Sequence, residues 1–302
     1  MIDIEMNEGR RMIEMLVNLK ELLTIAEERK IAVGAFNAAG LECLEAIFDA
    51  AEELNMPFVL MFAQLHEPWM HLKTIGPIMM DMAKKASVPV CVMLDHGEDM
   101  AYLKQALDLG FTAIMYDGST LPYEQNVENT RQAVALARRY GASVEAELGS
   151  MGRREYGAGN RSGDEDETKI YTDPQMAKAF VEATGVDALA CSFGTTHGIF
   201  LKAPKLDFDV VRNVRRLTNI PIVMHGASGV STEDLHRSID AGVSKINYYT
   251  YMDKAGGAAA AEALRAIPEG RPIFFSTLMR AGREAMRRDV LGAMKVFARM
   301  EQ

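Results

Sequence analysis

From residue 31 onward, short apolar runs alternate with longer stretches whose apolar residues recur at three- and four-residue spacing. Eight runs have the length and character of buried strands: 31–36 (IAVGAF), 58–63 (FVLMFA), 88–94 (VPVCVML), 113–117 (AIMYD), 142–148 (ASVEAEL), 187–193 (DALACSF), 221–225 (PIVMH) and 243–247 (VSKIN). Between them lie helical patterns such as LECLEAIFDAAEEL, EQNVENTRQAVALARRY, DPQMAKAFVEATG and STEDLHRSIDAG. The last opens on Ser231 and Thr232, carries acids in its first turn and stops at Gly242, the start and stop signals of a helix. Eight strands alternating with helices over roughly 250 residues predict an α/β fold, a (β/α)8 TIM barrel. An open doubly wound sheet is the runner-up, but no GxGxxG follows the first strand. No linker divides the chain, so 1–302 reads as one domain.

Three segments fall outside this rhythm. MIDIEMNEGRRMIEMLVNLKELL reads as an N-terminal amphipathic helix, with Met12, Ile13, Leu16, Leu19 and Leu22 near helical spacing. It lacks the basic start and apolar block of a signal peptide. Residues 149–172 are polar and Gly-rich, longer than the roughly 12–15 residues of an ordinary connection, and suit a lid or a disordered surface insertion. Residues 253–302 hold two further helical segments, a C-terminal extension that would cap the barrel bottom or mediate assembly.

Composition narrows the partners. A formal net charge of -9 argues against nucleic acid and anionic membranes, while leaving room for a local basic pocket that takes a phosphorylated metabolite. No apolar stretch reaches the ~20 residues of a membrane span. Cys43, Cys91 and Cys191 form no CxxC pair, and two lie in strand-like runs, which reads as buried reduced thiols in a cytoplasmic protein.

In a barrel of this kind the active site lies at the C-terminal ends of the strands. The third strand ends on Asp95-His96-Gly97, the fifth on Glu145-Ala146-Glu147, the sixth on Thr196-His197-Gly198, the seventh on His225-Gly226-Ala227-Ser228-Gly229 and the eighth on Asn247-Tyr248-Tyr249-Thr250. Three of the six histidines thus share one rim, each followed by glycine. Three imidazoles converging from separate strands suit a catalytic Zn²⁺ or another divalent metal. His66 and His71, in a Pro/Trp-containing loop, and His236, on a polar helix face, lack that context. Glu145 and Glu147 are two apart on a strand and so share a face, which suits metal binding or the orientation of a ligating histidine. The Gly-rich turns at 226–229 and 194–198, with Ser228 and Thr250, offer backbone N–H groups that cradle phosphate.

LDHG, DGSTLPYEQNVENTR, VEAELG, YTDP, GTTHG, VMHGASG and KIN, in this order and spacing, resemble the class II, metal-dependent ketose-bisphosphate aldolases, the family of fructose- and tagatose-1,6-bisphosphate aldolases. The resemblance runs from about residue 20 to 255. It implies a (β/α)8 barrel, zinc or another divalent metal, a monovalent cation (Na⁺ or K⁺), a sugar phosphate substrate and a homodimer or homotetramer. By the same resemblance His96, His197 and His225 are the zinc ligands, and Glu147 belongs to an alternative metal position. Asp95 transfers the proton of the C4 hydroxyl, and Glu155 matches the proton-abstracting glutamate of the loop. Gly198, Gly226, Ser228, Gly229, Asn247 and Thr250 fall where the dihydroxyacetone phosphate group is held.

Several positions depart from the family pattern. Thr120 replaces the usual histidine of DGSHLP, Ala63 replaces a serine after the second strand, and Tyr249 replaces a smaller residue or aspartate. Leu201 stands where a lysine is usual, with Lys202 one place later, and Arg154 stands where an acid often precedes the base. The expectation is therefore an aldolase that yields dihydroxyacetone phosphate with a distal aldehyde other than, or broader than, glyceraldehyde 3-phosphate. Arg153, Arg154 and Arg161 would meet an anionic group on that aldehyde. The alternatives are ordinary fructose 1,6-bisphosphate cleavage and a non-catalytic sugar-phosphate-binding barrel, which would not need Asp95 and Glu155. A Schiff-base mechanism on Lys245 would leave three rim histidines unexplained. A metal-dependent amidohydrolase would place an HxH pair on a first strand that reads AVGAFNAAG.

Overall fold

The computed structural model describes residues 15–149, 153–154, 171–195, 197–198 and 204–300, with backbone alone at Arg153, Arg154 and His197. Eight parallel strands close into a barrel: β1 (Val33–Asn37), β2 (Phe58–Ala63), β3 (Val90–Gly97), β4 (Ala113–Tyr116), β5 (Ser143–Leu148), β7 (Ala188–Cys191), β9 (Ile222–Met224) and β10 (Val243–Tyr248). Closure is direct, because β1 pairs with β2 on one side (Ala35 opposite Val59) and with β10 on the other (Ala35 opposite Asn247). That rules out the open doubly wound sheet. Two short strands, β6 (Arg153–Arg154) and β8 (His197–Gly198), form a separate ribbon. All eight predicted runs became barrel strands. The largest boundary difference is in β3, which runs on through Asp95 and His96 instead of stopping at Leu94.

The strands are apolar on both faces because each side is covered, by the barrel interior on one and by helices on the other. After α1 (Leu19–Arg29), the outer layer comprises α2 (Leu41–Leu54), α3 (Leu72–Lys85), α4 (Met100–Asp108), α5 (Tyr123–Arg138), α6 (Pro174–Thr184), α7 (Phe208–Thr218), α8 (Thr232–Ala241), α9 (Thr250–Arg265) and α10 (Phe275–Phe297). Helix α8 starts where its sequence signals place it, with the Ser231 hydroxyl accepting from Asp234 N–H at 3.1 Å, and it ends on Gly242 at φ 124°. Such caps contribute about 1 kcal/mol each.

The N-terminal helix begins later than its apolar spacing suggests. Asn18 and Glu21 form a reciprocal capping box that fixes the start at Leu19, and Leu16 sits instead in a parallel bridge with Val90. Met12 and Ile13 lie outside the described residues. Helix α1 buries Leu19, Leu22, Leu23 and Ala26 against Val33, Val59, Cys91 and Ala113 at the N-terminal end of the barrel. The bottom is therefore sealed by α1. The end of the C-terminal extension joins it there, with Ala298 and Met300 packed against the same cluster, while α10 lies on the outside, where Arg283 pairs with Glu45 and Asp49 of α2; Arg299, just past the helix, reaches Asp240 of α8. The three cysteines are free and buried, and burial pushes their thiols up, to about 11 for Cys43 and about 12 for Cys91 and Cys191.

Candidate active site and metal centre

Alternation along the strands decides what faces the barrel interior. Cys91, Met93 and Asp95 of β3 point inward, as do Glu145 and Glu147 of β5 and Lys245 and Asn247 of β10. Toward the C-terminal mouth the inward residues turn polar while staying buried: Asn37, Asp95, Asp117, Glu145, Glu147, His225, Lys245 and Asn247 are each at most 7% exposed. Burying that many polar groups is costly unless each is paired, so their contacts define the site.

His96 follows the inward-facing Asp95 and would point outward on a regular strand. Its backbone takes φ 46°, and the pairing of β3 with β4 slips between Leu94 and Gly97. The slip turns His96 inward beside Asp95, a local distortion of the kind that re-aims side chains at active sites. A side chain at Gly97 would lie 2.4 Å from Leu103 and 3.0 Å from the Met115 carbonyl, so close approach requires glycine there. Gly198 and Gly226 meet the same requirement through φ of 89° and 65°.

The His96 and His225 rings stand edge to face with centroids 4.9 Å apart. His96 Nδ1–H donates to Asp117 Oδ2 at 2.7 Å, and the Ser119 N–H and hydroxyl hold the other Asp117 oxygen. His225 Nε2–H donates to Glu145 Oε1 at 2.9 Å, and Glu145 Oε2 pairs with Lys245 Nζ at 2.9 Å. Each histidine thus spends one nitrogen on a buried carboxylate. Its other nitrogen is the one that would bind a cation, the usual arrangement behind a metal-ligating imidazole. His225 Nδ1 lies 3.5 Å from Glu147 Oε2. Ligand atoms of Asp95, His96 and His225 fall within 4.8 Å of one another, as do those of His96, Asp117 and Glu147.

The charge balance also fits a cation. Four carboxyl side chains (Asp95, Asp117, Glu145, Glu147) are buried here with Lys245 the buried ammonium among the described residues. Burial alone would lower His96, yet Asp95 and Asp117 push it up to about 10. Burial alone would raise Asp95, yet His96, His225 and Lys245 hold it down at about 2. A site that draws a proton onto one histidine so strongly is a site for positive charge, and its imidazole and carboxylate donors suit zinc.

Lys245 also answers the Schiff-base alternative. It is fully buried, ion-paired to Glu145 and bonded to Asn247 Oδ1 at 2.7 Å, a cationic tie and not an exposed nucleophile. Asn247 Nδ2 reaches Asp95 Oδ1 at 3.4 Å, and Asn37 Nδ2 donates to Asp95 Oδ2 at 2.8 Å. Asp95 is therefore braced from two strands.

Above these groups opens a cavity of about 530 Å³. Asp95, His96, Gly198, Gly226, Ser228, Asn247 and Thr250 all line it. Thr250 is the first residue of α9, so a helix N-terminus joins the Gly226–Ser228 turn there, a natural place for phosphate. Gly229, at φ 92°, is not among the lining residues. Glu155 and the His197 side chain lie outside the described residues, but the backbone of Arg153–Arg154 runs beside His197–Gly198. Sequence reasoning missed Asp117, Asn37 and the wall residue His66. Asp117 ends β4 as the other site residues end theirs, so the strand-end rule could have found it. His66 carried no such signal.

A closed (β/α)8 barrel with carboxylate-backed histidines at its C-terminal mouth defines a metal-binding barrel enzyme. A family model described as fructose-bisphosphate aldolase class-II matches residues 17–302. The chain is 38% identical over 294 residues to a fructose-bisphosphate aldolase of Geobacillus stearothermophilus, covering 93% of this chain and 96% of that one. It is 36% identical to a probable fructose-bisphosphate aldolase of Bacillus subtilis, covering 95% and 99%. The solved YdjI aldolase of Escherichia coli K12 superposes with a TM-score of 0.82 at 33% identity, covering 93% of this chain and 97% of that one. The chain belongs to the class-II fructose-bisphosphate aldolase family, whose members depend on a metal, and it is a carbon–carbon lyase of carbohydrate metabolism.

Proposed function

We propose that the chain, acting as one domain over 1–302, is a zinc-dependent aldolase that reversibly cleaves a ketose phosphate. The products are dihydroxyacetone phosphate and an aldehyde other than, or broader than, glyceraldehyde 3-phosphate. The observation that carries this reading is an ionised, fully braced Asp95 beside two histidines that are each backed by a carboxylate. His96, His197 and His225 would hold the metal, with Glu147 at an alternative position. When bound, the cation would supply Lewis-acid polarisation of the ketose carbonyl and stabilise the negative charge that develops as the bond breaks.

Asp95, held low, accepts the proton of the C4 hydroxyl as the C3–C4 bond breaks, and it returns that proton in the condensation direction. Asn37 and Asn247 keep its two oxygens in register for this transfer. Glu155 directly follows the backbone pair that runs beside Gly198, and it would deliver or remove the proton at C3 of dihydroxyacetone phosphate. The phosphate would lie among Gly198, Gly226, Ser228, Gly229, Asn247 and Thr250, with Na⁺ or K⁺ assisting. Ile273, Phe274 and Phe275, at the start of α10, are 60%, 62% and 73% exposed, which supports self-association to a homodimer or homotetramer.

A second reading, cleavage of fructose 1,6-bisphosphate itself, is favoured by the names of the relatives. The test is coupled detection of dihydroxyacetone phosphate released from fructose and tagatose 1,6-bisphosphates and their 1-phosphates, with and without EDTA and added Zn²⁺. Release that EDTA abolishes and zinc restores is expected. No release from any of them by zinc-loaded protein, together with no solvent exchange into dihydroxyacetone phosphate, overturns the aldolase reading.

A further inference from the structure

Besides the histidines and the Gly226–Ser228 turn, the cavity has a second wall, formed by the turn after β2 (Gln64, His66, Glu67), by Glu98 and Tyr102, and by Tyr249. His66 is 2% exposed, and its Nδ1 is sealed from solvent without a hydrogen-bond partner among the described residues. Its ring is clamped, stacked on Trp69 at 5.2 Å, tilted against Tyr249 at 5.0 Å and edge-on to Phe62 at 6.0 Å. A buried polar atom left unmatched in a cavity wall is costly unless a ligand group completes it.

The neighbouring groups share a chemistry. Gln64 Oε1 accepts from Glu98 N–H at 2.9 Å, which fixes the amide and leaves its NH₂ as the donor end. Glu67 accepts from the Tyr102 hydroxyl at 2.5 Å and from Leu72 N–H at 2.9 Å. Burial opposes ionisation of Glu67, but these hydrogen bonds keep its carboxyl below the usual range. Burial likewise lowers His66 to about 4, so at neutral pH it is an uncharged imidazole. Among the described residues that line the cavity there is no lysine or arginine. One phosphate can rest on the glycine turn and the α9 N-terminus. A second phosphate against the wall that holds Glu67 and Glu98 would face their carboxylates, and like-charge juxtaposition is unfavourable.

We propose that this second wall bounds the aldehyde subsite, that the subsite takes an uncharged polyhydroxylated fragment instead of the anionic one expected from Arg153, Arg154 and Arg161, and that His66 is a specificity-determining residue which hydrogen-bonds a hydroxyl of that fragment. The substrate is then a ketose 1-phosphate and not a 1,6-bisphosphate. The inference rests on the aldolase reading and deepens it.

The test compares kcat/KM of the zinc-loaded full chain for fructose and tagatose 1-phosphates against their 1,6-bisphosphates. Solvent deuterium exchange into dihydroxyacetone phosphate serves as an independent readout of the phosphate half. The 1-phosphates are expected to lead by about tenfold or more. Glu98→Gln, on an exposed side chain, should shift the ratio toward the bisphosphates by about threefold or more. His66→Phe keeps the stacked ring and should lower kcat/KM for the 1-phosphates by about tenfold or more, well beyond its effect on exchange, with His66→Asn recovering part of the loss. Bisphosphates equal to or better than the 1-phosphates overturn the inference while the aldolase reading stands. Exchange without cleavage of any ketose does the same. Equal losses in His66→Phe and His66→Asn remove His66 from specificity, and absence of both exchange and cleavage removes the aldolase reading itself.

Discussion

The two ends of the barrel interior come from the same strands by the same alternation, yet they solve opposite problems. At the N-terminal end Val33, Val59, Cys91 and Ala113 meet the leucines of α1 and exclude water and charge together. At the C-terminal end the inward positions of the barrel strands become Asn37, Asp95, Asp117, Glu147 and Asn247, equally hidden but tied by hydrogen bonds and ion pairs. The first end is held by area removed from water, which tolerates any well-shaped apolar side chain. The second depends on complete pairing, where one missing partner strands another. Stability and chemistry are thereby separated along one axis.

The separation is tested hardest at Lys245, which sits deep enough to serve both ends. Lys245→Met leaves Glu145 buried without its cation, and urea unfolding should show a loss of about 3–5 kcal/mol, part of which returns in the double variant with Glu145→Gln. A loss below about 1 kcal/mol would contradict the pairing argument. At the opposite end, Leu22→Ala should cost about 3 kcal/mol in the same experiment while kcat/KM and metal affinity stay within about twofold of the parent. A variant that loses activity while staying folded would dissolve the distinction between the ends.

Acid provides a graded probe of the cavity wall at His66. His66 stays neutral down to about 4 in the folded chain, against 6.5 as its ordinary value. The unfolded chain therefore takes up a proton first, so the stability from a neutral His66 is intact above pH 6.5 and drains away as pH falls toward 4. The full effect is about 3 kcal/mol, read as the difference between parent and His66→Phe unfolding curves across that window. Parallel curves would mean that His66 titrates normally. The smallest effect is local to the metal: Asp117→Asn keeps the fold but should weaken zinc about 10–100-fold in competition with a chromophoric chelator, by loosening His96.

Much of this was legible in the sequence, for identifiable reasons. Strand ends fall where apolar runs meet polar residues, so the chain alone places Asp95, His96, His225 and Asn247 on one rim. Glu145 and Glu147 were assigned to one face by spacing alone, and Glu145 indeed orients His225. The role of α1 was not legible, since an amphipathic helix announces an apolar partner but not which end of a barrel supplies it. Lys245 read as a possible amine nucleophile because only its strand was visible, and the Glu145 that neutralises it lies on another.

The sequence by itself determined the eight-fold alternation, the rim and the residue types gathered there, because periodicity and strand ends are local properties of a chain. Only the tertiary structure decided that His96 turns inward through a slip in register, that Asp117 and Glu145 stand behind the two histidines, and that His66 faces the cavity between Trp69 and Tyr249. Each of those is a meeting of side chains from different strands and turns. Which partners meet is set by how the barrel closes, a condition on all eight strands together that no single segment contains.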